Sequence, residues 1–162
     1  MTRRPIAHHL LRGARRQDGV YAIEFAFVFL IFFSLVYAAL CYGIFFTLRF
    51  GLQNAAEDGA RAALRHQVNL QAREAKAEAV TRQQTSGWLP VALGSNDVVT
   101  KICEVESKNC TGLRCGTEWP QRCQIEVTIT VRGMNKLLPL LNFAMPDTMV
   151  GQASMLLDSR GL

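Results

Sequence analysis

The chain has 162 residues, enough for one small domain and little else. Its 18 basic residues outnumber the 13 acidic ones, but five of the basic residues lie in the first 19 positions beside a single acid. The remainder has 13 basic and 12 acidic residues, so its charge gives no support for nucleic-acid binding.

Residues 25–48 form an apolar block without a formal charge. A helix of these 24 residues covers roughly 36 Å, enough to cross a hydrocarbon core about 30 Å thick. A buried helix of a soluble protein is the alternative, but one small domain cannot cover a helix that is apolar on every face. The block therefore predicts a single membrane-spanning helix.

Basic residues flank this block unequally: five precede it, and Arg49, Arg61 and Arg65 follow it. The excess predicts a cytoplasmic N-terminus and an extracytoplasmic C-terminus. A cleaved signal peptide is a poorer interpretation, because its apolar region would have about 7–15 residues. Lipid attachment at Cys41 is also disfavoured, since Leu40 stands where a small residue is needed. We expect Cys41 to be a lipid-facing or packing residue.

One acid, Glu24, lies at the start of the predicted span. A charge in a bilayer costs on the order of 2.5–3.5 kcal/mol at mid-depth and less near the interface. An interfacial acid with no role is the simplest alternative, but a partner explains a carboxylate at this position better.

The sequence around Glu24 resembles the processing site of type IV prepilins. A basic leader is followed by Gly19, four further residues, and then Glu24 and Phe25 at the start of the apolar helix. In those proteins a membrane aspartyl prepilin peptidase cuts after the glycine. The resemblance therefore implies cleavage between Gly19 and Val20, with Glu24 as the fifth mature residue. Glycine suits an extended scissile segment, because it has no Cβ to obstruct the peptidase.

Nearly the whole chain is similar to the TadE-like pseudopilins, minor components of the tight-adherence (Flp-type) pilus machinery. The similarity implies a pilin-like structural and assembly protein. Its implied partners are the prepilin peptidase, other pilins or pseudopilins, inner-membrane pilus assembly proteins and the lipid bilayer. The segments that carry it are Gly19–Ala26, the small-residue segment 54–63 with its Gly-Ala-Arg, Leu138-Pro139-Leu140 and the strand pattern of 150–157.

Residues 49–86 are rich in Ala, Gln, Arg and Glu and contain no Pro. Opposite charges stand four residues apart at Glu57–Arg61 and Glu78–Arg82, as in helices. We predict that the membrane helix continues as an amphipathic helix to about Gln84 and stops at Ser86-Gly87, although Gly51 and Gly59 weaken its continuity. The residues expected to pack against the head are Ala60, Ala63, Leu64 and Val68.

The pattern changes to β beyond residue 96. Residues 98–106 favour a strand, residues 125–132 alternate apolar and polar side chains, and a last strand is expected at 149–157. A short Leu-rich helix or turn is expected at 135–143. The fold class is α+β: a long N-terminal helix on a small three-stranded antiparallel sheet, which resembles a type IV pilin.

Four cysteines cluster within 21 residues, at Cys103, Cys110, Cys115 and Cys123. An even set in an exported domain is typical of disulfides. Zinc is disfavoured, because the spacing contains no C-x-x-C and no histidine is near. Of three possible pairings we favour Cys103–Cys123 with Cys110–Cys115. The TadE-like pattern does not include this cluster, so we interpret it as a local addition.

Catalytic motifs are missing from the sequence: it has neither a nucleophile elbow nor a Gly-rich phosphate loop, and His66 has no evident partner. We expect no enzyme activity, no cofactor, no metal site and no small-molecule substrate. Trp88 and Trp119 are expected to be core or interfacial residues.

Four segments are predicted: a cytoplasmic leader (1–19) that is removed, a transmembrane helix (20–48), an amphipathic extension (49–86) and an extracytoplasmic β head (87–162). The predicted location is the inner membrane, with the pilus as a second destination. The alternative function is a signal-anchored periplasmic binding module outside any filament, which would keep its leader. A membrane-tethered enzyme is the least supported option.

Overall fold

The computed structural model describes residues 18–113, 115–134 and 146–157. The Leu-rich segment predicted at 135–143 and nearly all of the leader lie outside these ranges. Two compact units divide the chain, one up to Leu40 and one from Cys41 onward. The elements are helices α1 (Asp18–Ala63) and α2 (Leu70–Thr85), strands β1 (Val98–Glu104), β2 (Cys123–Arg132) and β3 (Thr148–Leu156), and a 3₁₀ turn at Trp119–Gln121.

The three strands form one antiparallel sheet in the order β1-β2-β3, which confirms the predicted α+β fold class. Along β2, buried residues alternate with half-buried ones up to the exposed Arg132. This alternation confirms the strand predicted at 125–132. The buried side of the sheet packs on one face of α1, where Leu52, Ala56 and Ala60 are fully buried. From Leu52 to Ala63, four of the six buried residues of α1 are alanines, so the helix backbone can lie close to the sheet.

The helix predicted to run unbroken to Gln84 is interrupted, because α1 ends at Ala63 and α2 begins at Leu70. The Asn69 side chain caps α2 by accepting a 2.7 Å hydrogen bond from the Ala72 N–H. The buried guanidinium of Arg73 donates to the Ala63 carbonyl at 2.9 Å, which satisfies an end group of α1. These contacts turn the chain back, so that α2 lies beside α1.

The outcome for the helical packing residues is mixed. Ala60 and Ala63 are buried as predicted, but Leu64 and Val68 lie in the connection between the helices and are exposed, so that part of the prediction is wrong. The predicted stop is confirmed, since α2 ends at Thr85, Ser86 is its C-cap and Gly87 has φ of +95°. Both predicted charge pairs form: their N–O distances are 3.7 Å for Glu57–Arg61 and 2.9 Å for Glu78–Arg82.

The favoured disulfide pairing is wrong. The structure joins Cys103 to Cys110 and Cys115 to Cys123. Cys103 lies opposite Gln124 in the sheet, whereas Cys123 lies opposite Glu104. Because neighbouring residues of a strand point to opposite faces, this one-residue offset places Cys103 and Cys123 on different faces of the sheet. Each therefore bonds to a cysteine of the loop between β1 and β2.

Candidate functional site

The first two turns of α1 carry the four residues predicted to serve processing and assembly. Gly19 and Val20 lie directly after its first residue, Asp18, and Glu24 follows Val20 by four residues on the same side of the helix. Gly19, Val20, Glu24 and Phe25 are all exposed. A Cβ built on Gly19 would meet nothing within 4 Å, so packing does not require glycine at this position.

Beyond Glu24, α1 presents large apolar side chains on every face. Every residue from 19 to 36 is exposed. Phe25, Phe29 and Phe33 form a column with ring centroids 6.0 and 5.7 Å apart. The Ser34 hydroxyl donates to the Leu30 carbonyl at 2.7 Å, so this polar group is satisfied inside the helix. Such a surface needs lipid or other apolar helices around it.

Glu24 is the only charged residue from 19 to 48. The helix that contains it is long and apolar enough to cross a membrane. The site is therefore an apolar helical stretch with a single carboxylate near its N-terminal end. Its chemistry is electrostatic: a carboxylate in apolar surroundings favours a cationic partner within hydrogen-bond reach.

The second half of α1 is anchored in the head by contacts that the sequence did not reveal. A Cβ on Gly59 would overlap the Thr81 hydroxyl and lie 3.0 Å from the Ala77 carbonyl, so α2 crosses α1 there in close backbone contact. At Gly51 a Cβ would lie 2.5 Å from the ring of Trp88. Both glycines, which seemed to weaken the helix, are thus sites of close approach.

Helix side chains also cover both free edges of the sheet. On the β1 side, Glu74 of α2 accepts the Ile102 N–H at 2.8 Å. On the β3 side, the Gln53 carboxamide of α1 bonds to the backbone of Gln152. The paired residues are 28 and 99 positions apart, so no local pattern predicts either contact.

Both disulfides join the loop between β1 and β2 to one of these strands, and a further contact stabilises the loop. The Arg122 guanidinium carbon lies 5.7 Å from the centre of the Trp119 ring, a cation–π distance. Trp119 is otherwise exposed and lies outside the core. The four cysteines thus lie in β1, in β2 and in the loop between them, and not in the helix that carries Glu24.

A cleft of about 290 Å³ lies at the end of α2, where Arg82 is its charged lining residue. The guanidinium of Arg82 is already engaged: it pairs with Glu78 and donates to the carbonyls of Gly94 at 3.0 Å and Ser95 at 2.7 Å. Its donors therefore hold the loop that follows α2. Over residues 18–113, 115–134 and 146–157, no three His, Cys, Asp or Glu side chains gather as a metal site would require.

The comparison with protein families concerns this same helix. A family model described as TadE-like protein matches residues 19–61. The chain carries a TadE-like domain. The matched segment coincides with α1 almost residue for residue, from Gly19 to Arg61. No curated protein and no solved structure matches the chain.

The match covers 43 of the 162 residues, and the resemblance points to a pilin-like protein associated with the Tad pilus. The match includes the exposed apolar half of α1, the carboxylate of Glu24 and the close-approach residue Gly59. It does not include α2, the sheet or the four disulfide-bonded cysteines. The TadE-like part of the protein is therefore the helix, and the helix is consistent with a single membrane anchor.

Proposed function

We propose that this protein is a pilin-like structural and assembly component of a tight-adherence pilus, matured by a prepilin peptidase that cleaves after Gly19. The observation that carries the proposal is the apolar stretch 19–48 of the TadE-like domain, in which Glu24 is the only charged residue. The helix crosses the inner membrane once, with its N-terminus in the cytoplasm and the head outside. Its partners are the peptidase, other pilins or pseudopilins, and the inner-membrane assembly proteins.

Three properties of the segment around Gly19 support the cleavage. Gly19 has open space where a Cβ would lie, so its small size serves no packing contact in the folded protein. The segment is exposed and can reach a membrane peptidase. The TadE-like match also starts at this glycine.

The proposed mechanism uses the charge that cleavage creates. Hydrolysis of the Gly19–Val20 peptide bond leaves an α-amino group on Val20, which is largely protonated at neutral pH. Glu24 lies one helical turn further on, an axial distance of about 6 Å. Its carboxylate can therefore neutralise the new ammonium of its own chain or that of a neighbouring helix. Lateral association of the apolar helices then positions each subunit.

The N-terminal sequence of the mature protein tests this proposal. In cells with the peptidase, the mature wild-type chain should begin at Val20. The Gly19→Val chain should retain the leader and migrate about 2 kDa above the mature wild-type chain. If the wild type and Gly19→Val both begin at Met1 and co-migrate, the peptidase assignment is wrong. The protein would then be a signal-anchored periplasmic module that keeps its leader.

A reporter fused after Leu162 tests the orientation independently of cleavage. A reporter active only outside the cytoplasm should be active at this position, and a cytoplasmic reporter should be inactive. The opposite result would place the head in the cytoplasm and contradict the proposed role.

A further inference from the structure

An exposed stripe of aromatic rings follows one side of α1 in the unit that begins at Cys41. Tyr42, Phe46 and Phe50 recur every four residues and are 57%, 50% and 66% exposed. The rings of Tyr42 and Phe46 lie 6.5 Å apart between centroids. Cys41 and Leu48, on the other side of the helix, are buried. This stretch of α1 therefore packs on one side and leaves its aromatic side uncovered.

The head adds a fourth ring at the level of Phe50. Trp88 lies across Gly51, the next residue of the helix. Its indole N–H donates to the Gln84 carbonyl at 2.6 Å, and 38% of the residue remains exposed. The Trp88 ring is thus held in a fixed position by the head, with part of its surface open.

The level of these rings matches the outer boundary of a bilayer. If the hydrocarbon core begins at Phe25, just after Glu24, its thickness of about 30 Å is crossed by about 20 helical residues and ends near Ile44. A headgroup layer several ångströms thick then extends to about Arg49. Tyrosine and tryptophan are enriched in this layer, and an arginine there can reach the lipid phosphates.

Two observations favour lipid as the occupant of the stripe. Tyr42, Phe46 and Phe50 belong to α1, the helix that is long and apolar enough to cross a membrane. A second exposed cation is Arg132 at the end of β2, whose side chain is 71% exposed and lies 3.8 Å from Asp97. Together with Arg49 it suits a surface of phosphate groups.

We propose that Tyr42, Phe46, Phe50 and Trp88 form an outer aromatic belt that seats the head in the headgroup layer of a phospholipid bilayer. This inference rests on the proposed function, because it requires α1 to cross the membrane. The rings span the level where the acyl chains meet the headgroups, and Arg49 and Arg132 reach the phosphates. The head consequently rests on the membrane surface instead of standing away from it on bare helix.

The two tryptophans provide a reporter and a matched control. Trp88 lies against Gly51 of α1, beside the aromatic stripe. Trp119 lies in the turn just before Cys123, at the end of β2 opposite Arg132, and the ten residues of this strand cover roughly 33 Å. Trp119→Phe therefore leaves one tryptophan in the proposed belt, and Trp88→Phe leaves one in the loop before β2, outside it.

The full chain with each substitution is reconstituted into phosphatidylcholine vesicles whose acyl chains carry bromine near the glycerol or near the terminal methyl. We expect Trp88 to lose most of its emission with the shallow bromine and much less with the deep one. Trp119 should keep its emission in both. Phe46→Trp, in a chain with both natural tryptophans replaced by Phe, should behave as Trp88 does.

The belt is refuted if Trp88 and the Phe46→Trp reporter keep their emission with shallow bromine. Quenching by aqueous iodide would then show that water covers the rings, and shielding from both quenchers would indicate a second copy of the chain. Equal loss at Trp88 and Trp119 would also refute it. Co-flotation with vesicles after an alkaline wash measures membrane anchoring separately. A chain that floats but keeps the emission of Trp88 contradicts only the belt. A chain that does not float contradicts the membrane anchor as well.

Discussion

The Gln53 carboxamide of α1 forms two hydrogen bonds with the backbone of Gln152 in β3. Its Nε2 donates to the Gln152 carbonyl at 2.8 Å, and its Oε1 accepts the Gln152 N–H at 3.3 Å. A strand next to β3 would make the same pair of bonds, so the side chain occupies the place of a missing strand. Gly151 permits the approach, since a Cβ there would lie 2.7 Å from the Leu52 carbonyl oxygen.

Gln53→Ala should therefore destabilise the head. It leaves the N–H and C=O of Gln152 without these partners, which should lower the free energy of unfolding by about 1–3 kcal/mol. The control is Gln152→Ala, which keeps both bonds because they use the backbone; its effect should stay within about 0.5 kcal/mol. Proteolysis of the full-length protein in detergent at increasing urea concentration measures both. Equal effects of the two substitutions would show that the Gln53 contact does not stabilise the edge.

The sheet and the start of the TadE-like segment could be predicted because their signals are local. Alternation along residues 125–132 marks a strand in any context, and the prepilin-like segment from Gly19 to Phe25 is continuous in sequence. The end of α1 at Ala63 could not be predicted in this way. Residues 64–84 contain good helix formers, and the turn is decided by contacts with distant residues, such as Arg73 with Ala63.

Register explains the error in the disulfide pairing. The distance between Cys103 and Cys123 along the chain suits a bond across the strand pair, but the face of each cysteine depends on an offset of one residue. Sequence alone does not specify that offset when the connecting loop is long. The edge contacts of Gln53 and Glu74 are equally invisible in the sequence, because each joins a side chain to the backbone of a remote strand.

Gly59 should tolerate no side chain. The Cβ of Gly59→Ala would overlap the buried Thr81 hydroxyl, so the helices must separate, at a cost of about 1–3 kcal/mol in the free energy of unfolding. Gly43→Ala is the matched control in the same helix, because its Cβ would meet nothing within 4 Å. Adding Thr81→Ala to Gly59→Ala should restore part of the loss. Urea-dependent proteolysis gives the three values, and a Gly59→Ala protein as stable as the wild type would contradict the close helix crossing.

Peptide mapping can determine the disulfide pairing directly. Trypsin cuts after Lys101, Lys108, Arg114, Arg122 and Arg132, which leaves each of the four cysteines in a separate peptide. Under non-reducing conditions we expect mass spectrometry to find 102–108 linked to 109–114 and 115–122 linked to 123–132. A link between 102–108 and 123–132 would instead support the pairing across the strands.

Each disulfide closes a short loop, of sequence separation seven or eight. In the chain-entropy model, removing either bond should therefore lower the free energy of unfolding by about 2–3 kcal/mol. Paired substitutions to serine, at Cys103 with Cys110 or at Cys115 with Cys123, avoid leaving one free thiol behind. Similar stability of a paired variant and the wild type would show that the bond contributes little to the head.

The last prediction separates cleavage from assembly at Glu24. Glu24→Gln keeps the shape of the side chain but removes the charge that would neutralise the α-amino group of Val20. We expect normal membrane insertion, substantial leader removal and failed pilus assembly. Glu24→Leu should be at least as stable in the bilayer, since it removes a charge from apolar surroundings, and it should fail in the same way. Flotation, N-terminal sequencing and electron microscopy of pili read the three steps separately.

Ser34→Ala is the matched control for these variants. Its hydroxyl is a polar group in the same apolar half of α1, but it bonds only to the Leu30 carbonyl of its own helix. Removing it should leave insertion, cleavage and piliation unchanged, so a loss that is confined to the Glu24 variants can be attributed to the carboxylate. Normal piliation with both Glu24→Gln and Glu24→Leu would show that no ammonium partner depends on this charge. Glu24 would then be an interfacial acid without a role, and the association of the helices would rest on apolar packing alone.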